Sequence, residues 1–340
     1  MDSVSQFVLG GSLAGAVLAR HGKAWRAVLW GGVVATLPDL DVLIDHGDPI
    51  ANMVAHRGWS HSLFWLTLAA PVLAFGIAAL HGERARFRSW WLAVWLALFT
   101  HPLLDAMTIY GTRILLPFSD HAFAVGSLFI IDPLYTVPLL VGCVVLGVGK
   151  GSARSRQWNL GGLVASSLYA AWSVVAQQLA IAAASASLAT AGIAPARLVV
   201  TAAPLQTVLW RVLAVTETTA YEGFWSLLDD GAPIEWTAID RGAGLLAELR
   251  GSAAVLRAVA FSQDCCKLER VGDEVRLADL RMGQEPYYVF TFVVGRAANG
   301  GGGALAAVEP PVKAGLRIPI AQALPWLWRR VFGERIATPR

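Results

Sequence analysis

The chain has 340 residues, a formal net charge of +3, and a composition that is 56% apolar and 15% charged. A soluble protein of this size carries about a quarter charged residues, so these figures and a mean hydropathy of +0.54 mark a membrane protein over at least part of the length. The small charge, with no basic stripe interleaved with aromatics, excludes a nucleic-acid binder, and the three cysteines, Cys143, Cys265 and Cys266, make no disulfide framework.

The opening stretch MDSVSQFVLGGSLAGAVLAR has no basic leader and carries Asp2, so it reads as a short first helix rather than a signal peptide. Six apolar segments occur along the first part of the chain: 7–19, 27–44, 62–80, 89–107, 127–149, and one inside 157–196. A transmembrane helix needs about 20 apolar residues. The third and sixth segments meet that requirement directly. The fourth and fifth meet it if their internal His and Asp face protein. The first two are short, tilted or partly re-entrant, and PDLD at 38–41 interrupts the second.

Loop charge gives an orientation. Residues 1–196 contain eleven Lys and Arg, of which nine fall in three loops: Arg20, Lys23 and Arg26; Arg84, Arg86 and Arg88; Lys150, Arg154 and Arg156. Short basic loops stay in the cytoplasm, so the alternate loops and the C-terminal region are expected outside it. His21 and His81 fall in the basic loops. The other five histidines, with Asp39, Asp41, Asp45, Asp48, Asp105, Asp120 and Asp132, map to the opposite side.

Composition changes near residue 196, where charges become frequent. RLVVTA and YYVFTFVVG read as strands, VGDEVRLADLRMG as a turn and strand, and ANGGGGA at 298–304 as a flexible loop. PWLWRRVFG is a short basic-aromatic amphipathic segment that suits either a membrane surface or a terminal helix. The expected architecture is mainly α: a polytopic transmembrane bundle of about five to six segments over 1–196, followed by a small extramembrane α+β domain over 197–340.

Three stretches concentrate the polar chemistry on one side of the membrane. In TLPDLDVLID, Pro38 breaks the helix pattern, and Asp39 and Asp41 share a direction only in an extended or turn segment; Asp45 lies one helical turn beyond. In HRGWSHS, five helical steps would leave His56 and His61 about 140° apart. They can share one ion only if His56 lies in the loop and His61 at the helix start. Gly58 permits the bend, Ser60 or Ser62 can cap the following helix, and Arg57 is a cation able to neutralise carboxylates or grip an anion. In HPLLDAMTIYGT, His101 and Asp105 are i and i+4 and stack on one helix face, with Pro102 expected to disturb the ladder there. Ionisable groups in a span are costly and serve function.

Neutral imidazoles with carboxylates suit zinc, and also manganese or iron. Asp39, Asp41, His56, His61, His101 and Asp105 are the metal-ligand candidates, with His56 as ligand or base and Arg57 and Asp45 as further catalytic candidates. PDLD, then HRGWSHSL, then HPLLDAMTIYGT, in that order, resemble the pattern of the YdjM-like family, and DSVSQFVLGG resembles its opening, with Gln6 at a position that family fills with His or Gln. The resemblance covers roughly residues 1–120. It implies an inner-membrane, metal-dependent hydrolase and points to the same six residues. The expected activity is attack of metal-activated water on an ester or phosphoester of a lipid or lipid-linked substrate at the bilayer. The alternative is a non-enzymatic metal-binding scaffold or transporter.

Overall fold

A computed structural model describes residues 1–20, 23–297, 305–316 and 318–339. His21 of the first basic loop and the glycine-rich 298–304 segment therefore lie outside the described residues. The chain forms two compact units. The first comprises residues 1–43, 56–175 and 204–206; the second comprises 44–55, 176–203 and 207–340.

The first unit is helical. Its helices are α1 (Ser3–Leu18), α2 (Ala24–Thr36), α4 (Leu63–Leu80), α5 (Phe87–Ala106), α6 (Pro133–Val148) and the first part of α7 (Ala153–Thr190); α3 (Pro49–Ala55) lies in the second unit. Asp2 starts α1 by accepting from the Val4 and Ser5 amides, and Asp132 starts α6 in the same way through Leu134 and Tyr135. Helix α1 packs on α2, α5 and α6, and α4 packs on α5. Small residues let these helices approach closely. A Cβ on Gly10 of α1 would lie 2.4 Å from the carbonyl oxygen of Gly31 on α2, so neither position has room for a side chain. On α4, Ala70, Ala74 and Ala78 recur every four residues and are buried in one core with Ala93 and Ala97 of α5.

The outer faces are apolar. Leu68, Val72 and Phe75 of α4, Leu140 and Val144 of α6, and Leu160, Val164 and Leu168 of α7 are all exposed. Rows of exposed aliphatic side chains on long helices fit hydrocarbon rather than water. Among the described residues, two helices are long and apolar enough to cross a membrane, α4 with 18 residues and α7 with 38; α1 and α6 are shorter apolar helices. Helix α5 has 20 residues and runs unbroken through Pro102.

The second unit holds two four-stranded antiparallel sheets. The first has the order β1 (Arg197–Ala202), β2 (Leu209–Val215), β3 (Thr219–Ser226), β4 (Thr237–Asp240). The second has the order β10 (Leu305–Lys313), β9 (Thr291–Ala297), β6 (Glu274–Asp279), β5 (Cys266–Val271), and β7 (Gly283–Gln284) pairs with β8 (Tyr287–Tyr288) beside it. Strand β2, LWRVLAV, is buried along its whole length. The RLVVTA and EVRLAD strands form where their alternation indicates, whereas YYVFTFVVG is divided between β8 and β9. Helices α8 (Ala243–Glu248), α9 (Ala253–Phe261) and α10 (Ile320–Val331) complete the unit, with α3 against α9 and β10. The last part of α7 belongs here too: Ala176, Ala180 and Ala184 are fully buried in one core with Val200 and Trp210. The basic-aromatic segment near the end is α10, whose Trp326 and Leu327 pack with Leu209.

Candidate metal centre

The polar stretches of the first unit meet where α2 ends, α4 begins and α5 ends. Past α2 the chain tightens into a 3₁₀ segment, Leu37–Leu43, that carries Asp39 and Asp41. A shorter 3₁₀ turn, Trp59–His61, delivers His61, and Ser62 caps α4 by accepting from the Trp65 amide. His101 and Asp105 come from the last turns of α5. The basic α4–α5 turn, with Arg84 and Arg86, lies at the other end of both helices.

Four side chains converge. One ligand atom each from Asp39, His61, His101 and Asp105 lies within 4.8 Å of all the others. His61 Nε2 is 3.0 Å from His101 Nε2, 3.1 Å from Asp105 Oδ2 and 3.4 Å from Asp39 Oδ1. His101 Nε2 is 3.4 Å from Asp105 Oδ2 and 3.5 Å from Asp39 Oδ1. Ligands about 2.0–2.2 Å from a tetrahedral zinc stand about 3.3–3.6 Å apart. Three of the five separations fall in that range, and the two from His61 to His101 and Asp105, at 3.0 and 3.1 Å, are slightly shorter.

The surrounding hydrogen bonds assign the protons. His101 Nδ1 faces the Ala35 carbonyl oxygen at 2.6 Å; a carbonyl only accepts, so Nδ1 carries the hydrogen. Ser60 Oγ donates to Asp41 Oδ2 at 2.5 Å, so at 2.9 Å it accepts from His61 Nδ1. A neutral ring at either position would therefore present its Nε2 lone pair to the cluster. Asp105 Oδ2 is buried and has no hydrogen-bond donor. Two imidazoles and two carboxylates converge on one point, an arrangement that suits a cation. Asp39, His61, His101 and Asp105 form a candidate metal-binding site.

The other predicted residues surround this centre or stand apart from it. Asp41 is not one of the four donors. Its Oδ1 accepts from His56 Nδ1 at 2.6 Å, and its Oδ2 accepts from the Arg57 amide at 3.0 Å as well as from Ser60. Burial pushes Asp41 upward, but the His56 and Ser60 hydrogen bonds hold it below the usual carboxylate range. His56 packs edge-on against His61 and Tyr110.

Arg57 is buried, and its Nε lies 3.3 Å from Asp105 Oδ2. Its Nη1 donates to Thr108 Oγ1 at 2.9 Å, and its guanidinium lies over the Tyr110 ring at 4.9 Å. Arg57, not Gly58, takes the left-handed backbone, at φ 61°. The strain is offset because its amide donates to Asp41 and its carbonyl accepts from the Arg113 amide. Asp45 belongs to the second unit, where its exposed carboxylate accepts from the Gly47 amide and from Asn52 Nδ2.

The sequence profile of the YdjM inner membrane protein family matches residues 1–180 of the 340. The chain belongs to this family. All four donors lie inside the region that the YdjM profile covers. The chain is 36% identical over 101 residues to the inner membrane protein YbcI of Escherichia coli, an alignment covering 29% of this chain and 57% of that one. It is 28% identical over 159 residues to the uncharacterized protein YfhP of Bacillus subtilis, covering 44% of this chain and 47% of that one. The chain thus spans about half the length of the curated relatives it matches. No solved structure matches it.

Within this YdjM-family region, other groups beyond the six metal candidates contribute to the site. The Ala35 carbonyl is a backbone atom that no motif marks. Ser60 reads as a possible helix cap and instead links Asp41 to His61. Gln6, which the YdjM resemblance leaves open as a ligand, donates through Nε2 to Asp105 Oδ1 at 3.1 Å and to the His101 carbonyl at 3.1 Å. The Met1 amino group also donates to Asp105 Oδ1.

Proposed function

We propose that this YdjM-family protein is a multi-pass, metal-dependent membrane hydrolase whose centre faces away from the cytoplasm and acts on an ester or phosphoester of a membrane-associated substrate. The reading rests on one observation: one ligand atom each from Asp39, His61, His101 and Asp105 lies within 4.8 Å of all the others, and Asp105 Oδ2 is buried without a hydrogen-bond donor. Two imidazoles and two carboxylates are a borderline donor set that suits zinc first, with manganese or iron as alternatives. A divalent ion held there supplies a nucleophile at neutral pH by lowering the pKa of coordinated water.

The chain's own residues do the rest. Ser60, Asp41 and the Ala35 carbonyl fix both imidazoles with Nε2 inward. Gln6 holds the Asp105 carboxylate by its other oxygen. His56, anchored through Nδ1 to Asp41 and partly exposed, keeps Nε2 to take a proton as general base. Arg57 adds a fixed positive charge beside Asp105. The outward orientation is supported by the basic α4–α5 turn at the opposite end of the helices.

The test is metal analysis of the purified full chain beside His61→Ala and Asp105→Ala, followed by a chelator-reversible hydrolysis assay on a phosphoester in detergent. Stoichiometric metal in the parent and its loss in both variants is the expected result. Equal, negligible metal in all three would sink the reading. Metal retained without hydrolysis of any ester would leave a metal-binding scaffold or transporter.

A further inference from the structure

Exposed apolar side chains flank the segments that carry the metal-centre residues. The 3₁₀ segment that carries Asp39 and Asp41 turns Leu40 and Leu43 outward, Leu43 being 77% exposed. Trp59, two residues before His61, is 61% exposed. From Trp59 an unbroken row of rings runs across the start of α4. Trp59 and Trp65 centroids are 6.1 Å apart, Trp65 and Phe64 5.0 Å, and Phe64 and Phe118 5.3 Å. Phe118, at the end of the row, is 78% exposed. Its loop is anchored here by the Leu63 amide donating to the Ile114 carbonyl and by Ser62 Oγ donating to the Leu116 carbonyl.

Helix length places these side chains. Helix α4 has 18 residues, about 27 Å at ~1.5 Å per residue, and the hydrocarbon core is about 30 Å thick. Crossing the core takes the whole helix, so Leu63 stands at one boundary and His61 just outside it. The ring row then occupies the depth at which Trp and other aromatics collect between hydrocarbon and water. The exposed apolar face of α4 continues into the row through Leu68 and Trp65. A second aromatic group, Phe75, Phe87 and Trp91, sits towards the other end of the helix pair.

We infer that this collar lies in the interfacial layer of the bilayer and admits the substrate sideways from the membrane, so that the centre receives the phosphoester of an embedded phospholipid while its acyl chains stay in the hydrocarbon. This rests on the metal-centre reading above. A water-soluble ester would have no use for exposed Leu40, Leu43, Trp59 and Phe118 on the segments beside the centre. A phosphate is favoured over a carboxylic ester because the four donors, once loaded, stand beside the buried Arg57 guanidinium, and together they make a site for an anion. In the reaction, water forms a new bond to phosphorus, the bond from phosphorus to the leaving alcohol oxygen breaks, and that oxygen takes up the proton the water gives up.

The test uses the full chain reconstituted in nanodiscs of phosphatidylethanolamine and phosphatidylglycerol in equal amounts. Nitroxides at Phe118→Cys and Trp59→Cys report depth by collision with oxygen against a water-soluble nickel chelate, with Asp273→Cys, in an exposed turn of the second unit, for comparison. Both collar labels should favour oxygen over nickel. Water-like access equal to that at position 273 would overturn the inference. Loading the unlabelled protein with Mn²⁺ should broaden the ³¹P resonance of the lipid, with loss of that broadening in His61→Ala. Stoichiometric Mn²⁺ without excess broadening also overturns it. Failure of the parent chain to bind Mn²⁺ or Zn²⁺ at all removes the metal reading beneath it, a different result from a water-exposed collar.

Discussion

His61 and His101 bring their Nε2 atoms to 3.0 Å from each other, and the partners of both Nδ1 atoms place the single hydrogen of a neutral ring on Nδ1. Two imidazole nitrogens this close, beside two carboxylates, form a cluster that a divalent ion would tie together. A chelator such as phenanthroline should therefore lower the melting temperature of the purified protein, and zinc should restore it. A ligand at about a hundredfold excess over its Kd contributes about 2.7 kcal/mol. An unchanged melting temperature after complete metal removal would contradict the geometry.

Ser60 and Asp41 are expected to act through His61 and His56 rather than as ligands. Ser60→Ala and Asp41→Asn should keep the fold and weaken zinc affinity by roughly 10–100-fold, the usual cost of losing a group that orients a ligating imidazole. His61→Ala should abolish binding. A competition titration with a zinc-sensitive dye separates the two outcomes. If Asp41→Asn were as severe as His61→Ala, Asp41 would be a direct ligand.

Much of this site could be read from the sequence because it rests on local spacing. His101 and Asp105 share a face by the i, i+4 rule, and the division of HRGWSHS into a loop His56 and a helix-start His61 follows from their 140° separation on a helix. The structure divides the six metal candidates further: four donors converge, while Asp41 and His56 pair with each other. Spacing alone has no means to do that, because Asp39 and Asp41 are equivalent until the 3₁₀ segment sets their directions. The left-handed Arg57 was likewise hidden, since a glycine follows it and offers the simpler bend. In the second unit, β2 and β6 are plain alternating or apolar runs, but the burial of α7 alanines against β1 and β2 is a tertiary fact that its uniform composition does not announce.

Arg57 and Asp105 form a buried ion pair at 3.3 Å. Removing one partner of such a pair costs up to about 3–5 kcal/mol when the other charge is left uncompensated, and here the Met1 amino group remains on Asp105 Oδ1 to reduce that cost. In Arg57→Gln that cost should fall mainly on the chelated protein, since a bound divalent ion also neutralises Asp105. Thermal melts with and without zinc should show a larger loss for the variant in the metal-free state. Equal losses in both states would mean that Arg57 serves packing against Tyr110 alone.

In the second unit, Arg211 and Glu222 are buried on paired strands β2 and β3, with Arg211 Nη2 2.6 Å from Glu222 Oε1. Arg211 Nη1 donates to the Leu280 carbonyl at 2.8 Å, which joins the pair to the chain after β6. Glu222→Ala leaves the guanidinium buried with backbone acceptors only, and should destabilise this unit by about 3–5 kcal/mol. Replacing both residues by apolar ones should cost less than Glu222→Ala alone. Urea melts followed by far-ultraviolet circular dichroism at the β signal provide the measurement.

Cys265 and Cys266 stand at the start of β5 with both side chains buried, and burial pushes each thiol up to about 11. Each thiol keeps its proton to higher pH when folded than when unfolded. Their contribution is therefore complete below the unfolded value of about 8.5 and is lost as pH rises through about 11. Up to about pH 8 both should resist iodoacetamide in the native protein and react at once in urea. Above pH 9 the second unit should lose stability, each thiol contributing on the order of 3 kcal/mol once fully ionised. Cys265→Ala with Cys266→Ala should flatten that alkaline decline. Rapid native alkylation at neutral pH would show instead that one of the pair is a reactive thiolate.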